Sequence, residues 1–365
     1  MKMNKAYKFR LYPNAEQAIM FAKTFGCVRF IYNKMLGDKI AYYNETKEKL
    51  SNTPAQYKPD FDFLKEIDSL ALANAQINLQ TAYNNFFRDK AVGFPKFKSK
   101  KNNRNSYTTN NQNGSVRLEN GHIKLPKIGF VKVKQHRQIS DNYTLKSVTV
   151  SKTPSGKYFA SILFEYEQII EPVEIKNIIG LDFSMTELYV DSNREEANYL
   201  RYYRRKLEKL KNMSRSLSKM KKFSNNWYKQ KRKVAVLHEK IANQRKDFLH
   251  KQSRQTANAY DLVGVEDLNM KAMGQALNFG KSVADNSWGM FRTLLKYKLE
   301  EQGKYYVTID KFFPSSKLCS VCGYSNAELT LSVRAWTCPD CGANHDRDVN
   351  AAINIKNEAV RIATA

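Results

Sequence analysis

The chain has 365 residues and a formal net charge of +26, from 61 lysines and arginines against 35 aspartates and glutamates. Such an excess of positive charge favours a large polyanion as partner, so we expect the protein to bind nucleic acid. No apolar run approaches the roughly 18–20 residues that span a bilayer, and the start, MKMNKAYKFRLYP, lacks the apolar stretch of a signal peptide. These features exclude a membrane or secreted protein and predict a cytoplasmic one that, in a prokaryote, associates with the nucleoid.

The N-terminal part of the chain predicts a strand followed by two helices. Residues 5–12 alternate basic and apolar side chains, as a strand with one basic face does. Asn14 and Gln17 have the spacing of a capping box for a helix that continues to about Asn44. Its predicted apolar positions are Ile19, Ala22, Phe25, Phe30 and Ile31. Those of the second helix, which ends near Arg88, are Leu64, Ile67, Leu70, Ile77 and Phe86.

A basic segment and two hairpins follow. Residues 93–104, GFPKFKSKKNNR, predict a loop that contacts phosphates, because lysine and arginine neutralise phosphates without regard to sequence. Farther on, Asn120-Gly121 between alternating runs predicts a type I′ turn, and residues 154–156 mark a second hairpin. Together with the N-terminal strand, these hairpins predict a small β-barrel from residues 1–12 and 96–172, interrupted by a helical lobe at residues 13–95.

The pattern changes near Ile178 to that of an α/β domain, which we assign to residues 173–365. An apolar strand and its hairpin partner, IIGLDFSMTELYVDS, precede residues 201–222, in which ten residues are Lys or Arg and Glu208 is the only acid. We predict a helix there, with a basic outer face that follows a nucleic-acid strand. Further helices alternate with the strands DLVGVEDLN and YYVTID, an order typical of an RNase H-like fold.

Three carboxylates stand at the ends of apolar runs. Asp182 and Glu266 each follow four apolar or glycine residues, and Asp348 opens the helix DVNAAINI, where the helix dipole favours an anion. Each acid alone is more often a cap, but three in a basic protein predict a magnesium site, because phosphodiester hydrolysis uses carboxylates to hold two ions about 3.5–4 Å apart. Asp346 competes with Asp348 for the third position, and Arg347 contacts either the scissile phosphate or a neighbouring acid.

The cysteines form two Cys-x-x-Cys pairs. Cys319 and Cys322 are separated by fifteen residues from Cys338 and Cys341, a spacing that matches a structural four-cysteine zinc site, which we place in a zinc ribbon at residues 314–344. A redox function would predict one such pair rather than two. Four thiolates leave no open coordination position, so we expect one structural Zn²⁺. The fifth cysteine, Cys27, is predicted to be a buried apolar residue.

These segments resemble the TnpB family, RNA-guided nucleases that are encoded by bacterial transposons and related to type V CRISPR effectors. The resemblance covers nearly the whole chain, and the segments that carry it are YKFRLYPN, GFPKFKSK, GLDFS, VGVEDLNM, PSSKLCSVCG and CGANHDRDVNAAINI. It implies a wedge barrel interrupted by a helical recognition lobe, followed by a RuvC nuclease domain that contains the zinc ribbon. The matching catalytic acids are Asp182, Glu266 and Asp348.

The resemblance also implies the partners. A noncoding guide RNA would direct the protein, as a monomer with its RNA, to complementary double-stranded DNA beside a short motif, and the single RuvC site would cut both strands with two Mg²⁺. We assign motif reading to Gln76, Gln80, Lys98 and Tyr107. The other predicted nucleic-acid contacts are Lys8, Arg10, Lys96, Arg201, Arg204 and Arg205.

Three other functions agree with parts of the sequence. A miniature type V CRISPR effector, or an intermediate between TnpB and such effectors, would differ in having a repeat-derived guide. An RNA-guided repressor would bind DNA without cutting it. A guide-independent resolvase or transposase would leave the basic N-terminal half of the chain without a function.

Overall fold

The computed structural model describes residues 1–102, 105–276, 280, 285–330 and 332–365. The chain divides into two compact units, Met1–Gln168 and Ile169–Ala365. The last two residues of the predicted basic loop, Asn103 and Arg104, lie outside the described residues. None of the described helices is long and apolar enough to cross a membrane.

The first unit contains a seven-stranded antiparallel sheet and two long helices. Its strands are β1 (Lys2–Tyr12), β2 (Asn105–Asn110), β3 (Arg117–Glu119), β4 (His122–Leu125), β5 (Gly129–Lys134), β6 (Thr144–Lys152) and β7 (Tyr158–Glu167). The helices are α1 (Ala15–Thr46) and α2 (Ser69–Arg88). The strand order is β2-β6-β7-β1-β5-β4-β3, so the N-terminal strand lies mid-sheet and pairs with β7 from the far end of the unit. The predicted pairing of these distant segments is confirmed.

Local signals for caps and turns agree with the structure. Asn14 accepts a hydrogen bond from the backbone N–H of Gln17, whose side chain accepts one from the N–H of Asn14, so the predicted capping box is confirmed. Asn120 and Gly121 both have positive φ, 48° and 71°, as a type I′ turn requires. Cys27 is buried at 6% exposure, also as predicted.

The predicted apolar faces of the two helices are partly wrong. In α1 the buried face contains Phe21, Phe25, Val28, Ile31 and Met35, whereas Ile19 and Ala22 are exposed. The four-residue and three-residue steps that start from Phe21 select the face that packs on the sheet, and Ile19 is two residues out of phase with them. In α2 the buried positions are Ala71, Leu72, Ala75 and Leu79.

Three of the positions predicted for the second helix differ in the structure. Leu64 and Ile67 are buried but precede the helix, which Asp68 caps through its side chain. Ile77 lies within α2 and is 54% exposed. The periodic pattern therefore located the helix but included apolar residues of the preceding turns.

The second unit contains a four-stranded sheet, a two-stranded hairpin and five described helices. Its strands are β8 (Ile178–Ser184), β9 (Leu188–Asp191), β10 (Leu262–Glu266), β11 (Tyr305–Ile309), β12 (Ala335–Thr337) and β13 (Asn344–Asp346). The helices are α3 (Tyr202–Lys219), α4 (Asn225–Ala259), α5 (Met270–Ala276), α6 (Trp288–Glu300) and α7 (Arg347–Thr364). In the order β11-β10-β8-β9, the first three strands are parallel and β9 is antiparallel. The predicted succession of strand, hairpin, helices, strand, helix and strand is present.

The four-stranded sheet is covered on both faces. Alternate residues of β8 and β10, such as Ile179 and Val263, pack against α4 and α6. On the opposite face, Leu262 belongs to a cluster with Ile355 and Ala359 of α7. Strands that are buried on both faces read as continuous apolar runs, which explains the unbroken IIGL and LVGV.

Two glycines allow α7 to lie directly on the strand backbone. A Cβ atom on Gly180 of β8 would collide with the carbonyl oxygen of Ala352 and come within 2.6 Å of the backbone nitrogen of Lys356. A Cβ on Gly264 of β10 would lie 2.7 Å from the Cβ of Ala359. The spacing between helix and sheet at these two positions is therefore too small for any side chain.

We predict that Gly180→Ala and Gly264→Ala each lower the free energy of unfolding by about 1–3 kcal/mol or more. That range is the usual cost of overpacking a core. Urea unfolding of full-length variants measures this. Gly289→Ala is the matched control, because Gly289 is an exposed residue of α6 with no atom within 4 Å of its added Cβ. If Gly264→Ala is as stable as the parent, the close packing of α7 on β10 does not require a glycine at this position.

Candidate functional site

Asp182 and Glu266 lie side by side at the carboxyl ends of two parallel strands. Leu181 pairs with Val265 in the register of β8 and β10, and Asp182 and Glu266 are the next residues on each strand. Neighbouring strands are about 4.8 Å apart, which places the two carboxylates next to each other. Because side chains alternate along a strand, both acids point to the face that carries Gly180 and Gly264. That face is the one covered by α7.

The third acid comes from the first turn of α7. Asp348 precedes Ala352, Ile355 and Ala359 by four, seven and eleven residues, so it lies on the helix face that contacts the two glycines. The charges of Glu266 and Asp348 both raise the pKa of Asp182, so both acids are close enough to act on it electrostatically. The structure thus brings together three acids that are far apart in sequence.

Burial and repulsion disfavour the ionised form of Asp182, and burial disfavours that of Glu266. The pKa of Asp182 is held well above its usual range, first by burial and then by the charges of Glu266 and Asp348, while Arg347 partly offsets them. Burial also raises the pKa of Glu266, against a hydrogen bond that the Ser315 hydroxyl donates to its carboxylate. Buried acids with such shifted pKa values are typical of functional sites, where a cation or a proton offsets the repulsion.

Two arginines contact Asp348. The Nη1 atom of Arg334 lies 3.1 and 3.0 Å from the two carboxylate oxygens, and Nη2 of Arg347 lies 3.3 Å from one of them. The Arg347 side chain is 11% exposed and that of Arg334 is 66% exposed. The contact of Arg334 is not predictable from the sequence, because no local pattern relates this residue to an acid fourteen positions later.

Asp346 has a different position from Asp348. It is the N-cap of α7, and its carboxylate accepts hydrogen bonds of 3.0 Å from the backbone N–H groups of Asp348 and Val349. A side chain engaged in this way orients the first turn of the helix. Of the two acids that competed for the third position, Asp348 is the one whose charge acts on Asp182.

The four cysteines converge on one point. All four Sγ atoms lie within 4.8 Å of one another, with 3.6 Å between Cys319 and Cys341 and 3.7 Å between Cys322 and Cys338. Thiolates that share a tetrahedral zinc ion are about 3.8 Å apart, so this set fits the ion. Gly323 and Gly342 follow the pairs with positive φ, 80° and 72°, a backbone conformation that glycine adopts without steric cost.

A histidine that the sequence analysis missed accompanies the cysteines. His345 Nε2 lies 3.1 Å from Cys319 Sγ, and its ring packs against Trp336 with 4.7 Å between centroids. His345 and Trp336 face each other across the hairpin of β12 and β13. A ring N–H that is aimed at a thiolate would orient it and partly balance its charge.

Four candidate nucleic-acid residues of the first unit are at least partly exposed. Lys8 and Arg10 lie on the more exposed face of β1, 4.6 and 5.2 Å from the centre of the Phe159 ring, and Lys96 is exposed. Lys98 is also exposed, with Nζ 3.8 Å from the centre of the Tyr32 ring.

Both glutamines that are predicted to read bases form hydrogen bonds within the protein. Gln76 donates a hydrogen bond to the carbonyl of Asn52, and Gln80, which is exposed, donates one to the side chain of Asn84.

The prediction for Tyr107 is wrong for this structure. Its ring is 5% exposed and packs in the core against Phe21 and Phe25, because position 107 faces inward on β2.

The predicted basic helix is present as α3. Leu210 is buried against Leu237 and Ile241 of α4, which leaves Arg204 and Arg205 exposed. Arg201 precedes the helix and donates a 3.3 Å hydrogen bond to the carbonyl of Thr186, four residues beyond Asp182.

Comparisons with known proteins agree with this architecture. Residues 161–277 match a family model described as "Probable transposase", and residues 288–355 match one described as "Cas12f1-like, TNB domain". Residues 1–48 match a "Helix-turn-helix domain" model, although in the structure they form β1 and the single helix α1. A solved Cas12f1-sgRNA-target DNA complex has a similar chain, with a TM-score of 0.65 and 14% identity over 98% of this chain and 99% of that one. This likeness shows that the chain shares the fold of that Cas12f1 chain.

Sequence relatives identify the family. The chain is 36% identical to a "Putative RNA-guided DNA endonuclease" of Streptomyces pristinaespiralis, over 97% of this chain and 89% of the relative. It is 31% identical to the "Putative RNA-guided DNA endonuclease InsQ" of Escherichia coli (strain K12), over 97% of this chain and 92% of the relative. The chain therefore belongs to the TnpB family.

Proposed function

We propose that this chain is an RNA-guided DNA endonuclease that hydrolyses both strands of its target in one RuvC-type site. The observation that carries the proposal is the convergence of Asp182, Glu266 and Asp348 on one face of the central sheet. We infer the guide RNA and the DNA target from the family relatives, whose names describe RNA-guided DNA endonucleases. The net charge of +26 suits a protein that holds two kinds of polyanion.

The three carboxylates fit a pair of magnesium ions. Mg²⁺ prefers hard oxygen ligands, and a bound cation would offset the burial that raises the pKa values of Asp182 and Glu266. When bound, magnesium supplies Lewis-acid polarisation of the phosphate and a nucleophile at neutral pH. Asp182, Glu266 and Asp348 would hold the ions, and the exposed Arg334 guanidinium beside Asp348 would attract the phosphate backbone.

Two other parts of the chain have supporting functions in this proposal. One is the first unit, and the other is the segment of residues 314–344 with the four cysteines, which we call the cysteine module. Zn²⁺ bound to Cys319, Cys322, Cys338 and Cys341 would stabilise a zinc ribbon at residues 314–344. Residues 1–12 and 96–172 would form the wedge barrel, with the helical lobe at residues 13–95 inserted in it. Lys8, Arg10, Lys96 and Lys98 would contact phosphates, while base pairing with the guide supplies sequence specificity.

We predict that Asp182→Asn, Glu266→Gln and Asp348→Asn each lower the cleavage rate by more than about 100-fold, beyond the range for groups that only support metal ligands. The measurement is cleavage of a matched duplex by the protein with its guide RNA across a Mg²⁺ titration, with target binding measured in parallel. Target binding is expected to persist, because the substitutions keep side-chain size and remove only charge.

Asp340→Asn is the control for this series. Asp340 is an exposed acid of the cysteine module, and its substitution is expected to leave cleavage unchanged. Parental activity of Glu266→Gln would contradict the assignment of the site.

We predict that the purified protein contains one zinc ion per chain, and that Cys338→Ser combined with Cys341→Ser removes it. Elemental analysis of both proteins measures this directly. Cys27→Ala is the control, because Cys27 is buried in the other unit and is expected to keep the zinc in place. Zinc at the parental level in the double variant would rule out the four-cysteine site.

We predict that RNA from the native locus copurifies with the protein when the locus is expressed. Sequencing a single RNA that ends at a transposon boundary would support the proposed function and supply the guide for cleavage assays. A repeat-derived RNA would indicate a CRISPR effector instead. If no RNA is enriched, the guided mechanism is wrong.

A further inference from the structure

A serine hydroxyl is aimed at one of the three acids. Ser315 lies between β11 and the first cysteine pair, and its hydroxyl donates a hydrogen bond to Oε1 of Glu266. Ser315 is 5% exposed, so water does not compete freely for this contact. The hydrogen bond lowers the pKa of Glu266, opposing the effect of burial, and therefore favours the ionised carboxylate.

Two buried asparagines of α7 hold the segment that carries this serine. The side-chain amide of Asn354 donates hydrogen bonds of 2.8 and 2.7 Å to the carbonyl oxygens of Ser315 and Leu318. Asn350, one turn earlier, donates to Leu318 at 2.7 Å and accepts from the backbone N–H of Ser320 at 2.9 Å. Residues on both sides of Cys319 are thus attached to the helix that also carries Asp348.

Asparagine is an unusual choice for these positions. It has low helix propensity, and Asn350 and Asn354 are 1% and 6% exposed, so each must recover the cost of burial through its hydrogen bonds. Their partners are backbone groups of one short segment, residues 315–320. This arrangement fixes the backbone of Ser315 relative to α7 rather than merely filling the core.

We propose that Ser315 is a positioning residue for Glu266, and that Asn354 acts by holding Ser315. The terminal torsion of a glutamate is broad, so a carboxylate that must ligate a cation needs a partner to keep one orientation. Ser315 supplies that partner from the cysteine module, and Asn354 fixes the serine on the same helix as Asp348. The inference rests on the proposed function, which makes Glu266 a ligand of the divalent cation.

Binding of Mn²⁺ to the full-length protein, followed by the electron paramagnetic resonance signal of the free ion, tests this without any cleavage step. Ser315→Ala is expected to weaken Mn²⁺ binding by about 10- to 100-fold, the effect typical of groups that orient a metal ligand. Ser316→Ala is the matched control, because Ser316 is a neighbouring, partly exposed serine, and it is expected to bind Mn²⁺ as the parent does. Thermal unfolding of each variant separates this effect from loss of folding.

Asn354→Ala tests the second half of the proposal. If Asn354 acts through Ser315, Asn354→Ala also weakens Mn²⁺ binding, and the double variant binds no more weakly than the weaker single variant. Additive effects of the two substitutions would overturn the assignment of Asn354. If one single variant does not fold, the other still tests whether the hydrogen bonds from Asn354 to Ser315 and from Ser315 to Glu266 control Mn²⁺ affinity.

Glu266→Gln distinguishes failure of the inference from failure of the proposed function. If Glu266→Gln weakens Mn²⁺ binding but Ser315→Ala does not, the serine does not position the ligand and only the inference is overturned. If Glu266→Gln leaves Mn²⁺ binding unchanged, Glu266 is not a ligand, and both the proposed metal site and the inference are wrong.

Discussion

The contact of α7 with the backbone of β8 and β10 determines where the three acids meet. Gly180 and Gly264 leave no side chain between helix and sheet, so the helix axis lies closer to the strands than packed side chains would allow. Asp182 and Glu266 follow these glycines by two residues on the same face, and Asp348 precedes the contacting residue Ala352 by one helical turn. The same close contact that stabilises the unit therefore sets the geometry of the acid cluster.

The electrostatics of the cluster follow from this packing. Neighbouring parallel strands place Asp182 beside Glu266, and α7 adds Asp348, so burial and like charge act together on Asp182. Arg334 and Arg347 both make their ion pairs with Asp348, on the helix side of the cluster. On the strand side, Glu266 has the Ser315 hydroxyl, a neutral donor that orients the carboxylate without cancelling its charge. A divalent cation bound there would offset the charge that remains.

Sequence reasoning located the acids because each has a local signature. Asp182 and Glu266 end uninterrupted apolar runs, and Asp348 opens an alanine-rich helix, so their elements could be predicted without tertiary information. The close packing of α7 on Gly180 and Gly264 could not be predicted from a local sequence pattern. A glycine inside a strand indicates that some other group comes close, but the group here, α7, lies about a hundred or more residues later in the chain.

The errors have equally local causes. Tyr107 was assigned to nucleic acid because of its residue type, but on a strand a shift of one position moves a side chain from one face to the other, and register depends on the partner strand. Ile19 lies on the exposed side of α1 for the same reason in a helix, where a phase difference of two residues changes the face. Arg334 depends on a hairpin that returns the chain to Asp348, and residue spacing alone contains no such information.

The cysteine module is attached to the acid cluster at both of its ends. Where the chain enters the module, Ser315 contacts Glu266, and Asn350 and Asn354 hold residues 315–320. Where it leaves, the backbone N–H of Arg347 donates to the carbonyl of Arg334, and β13 leads directly into α7. A metal that fixed the four thiolates would therefore fix both attachments relative to each other. A metal held by the four cysteines would in this way limit the movement of Glu266 and Asp348.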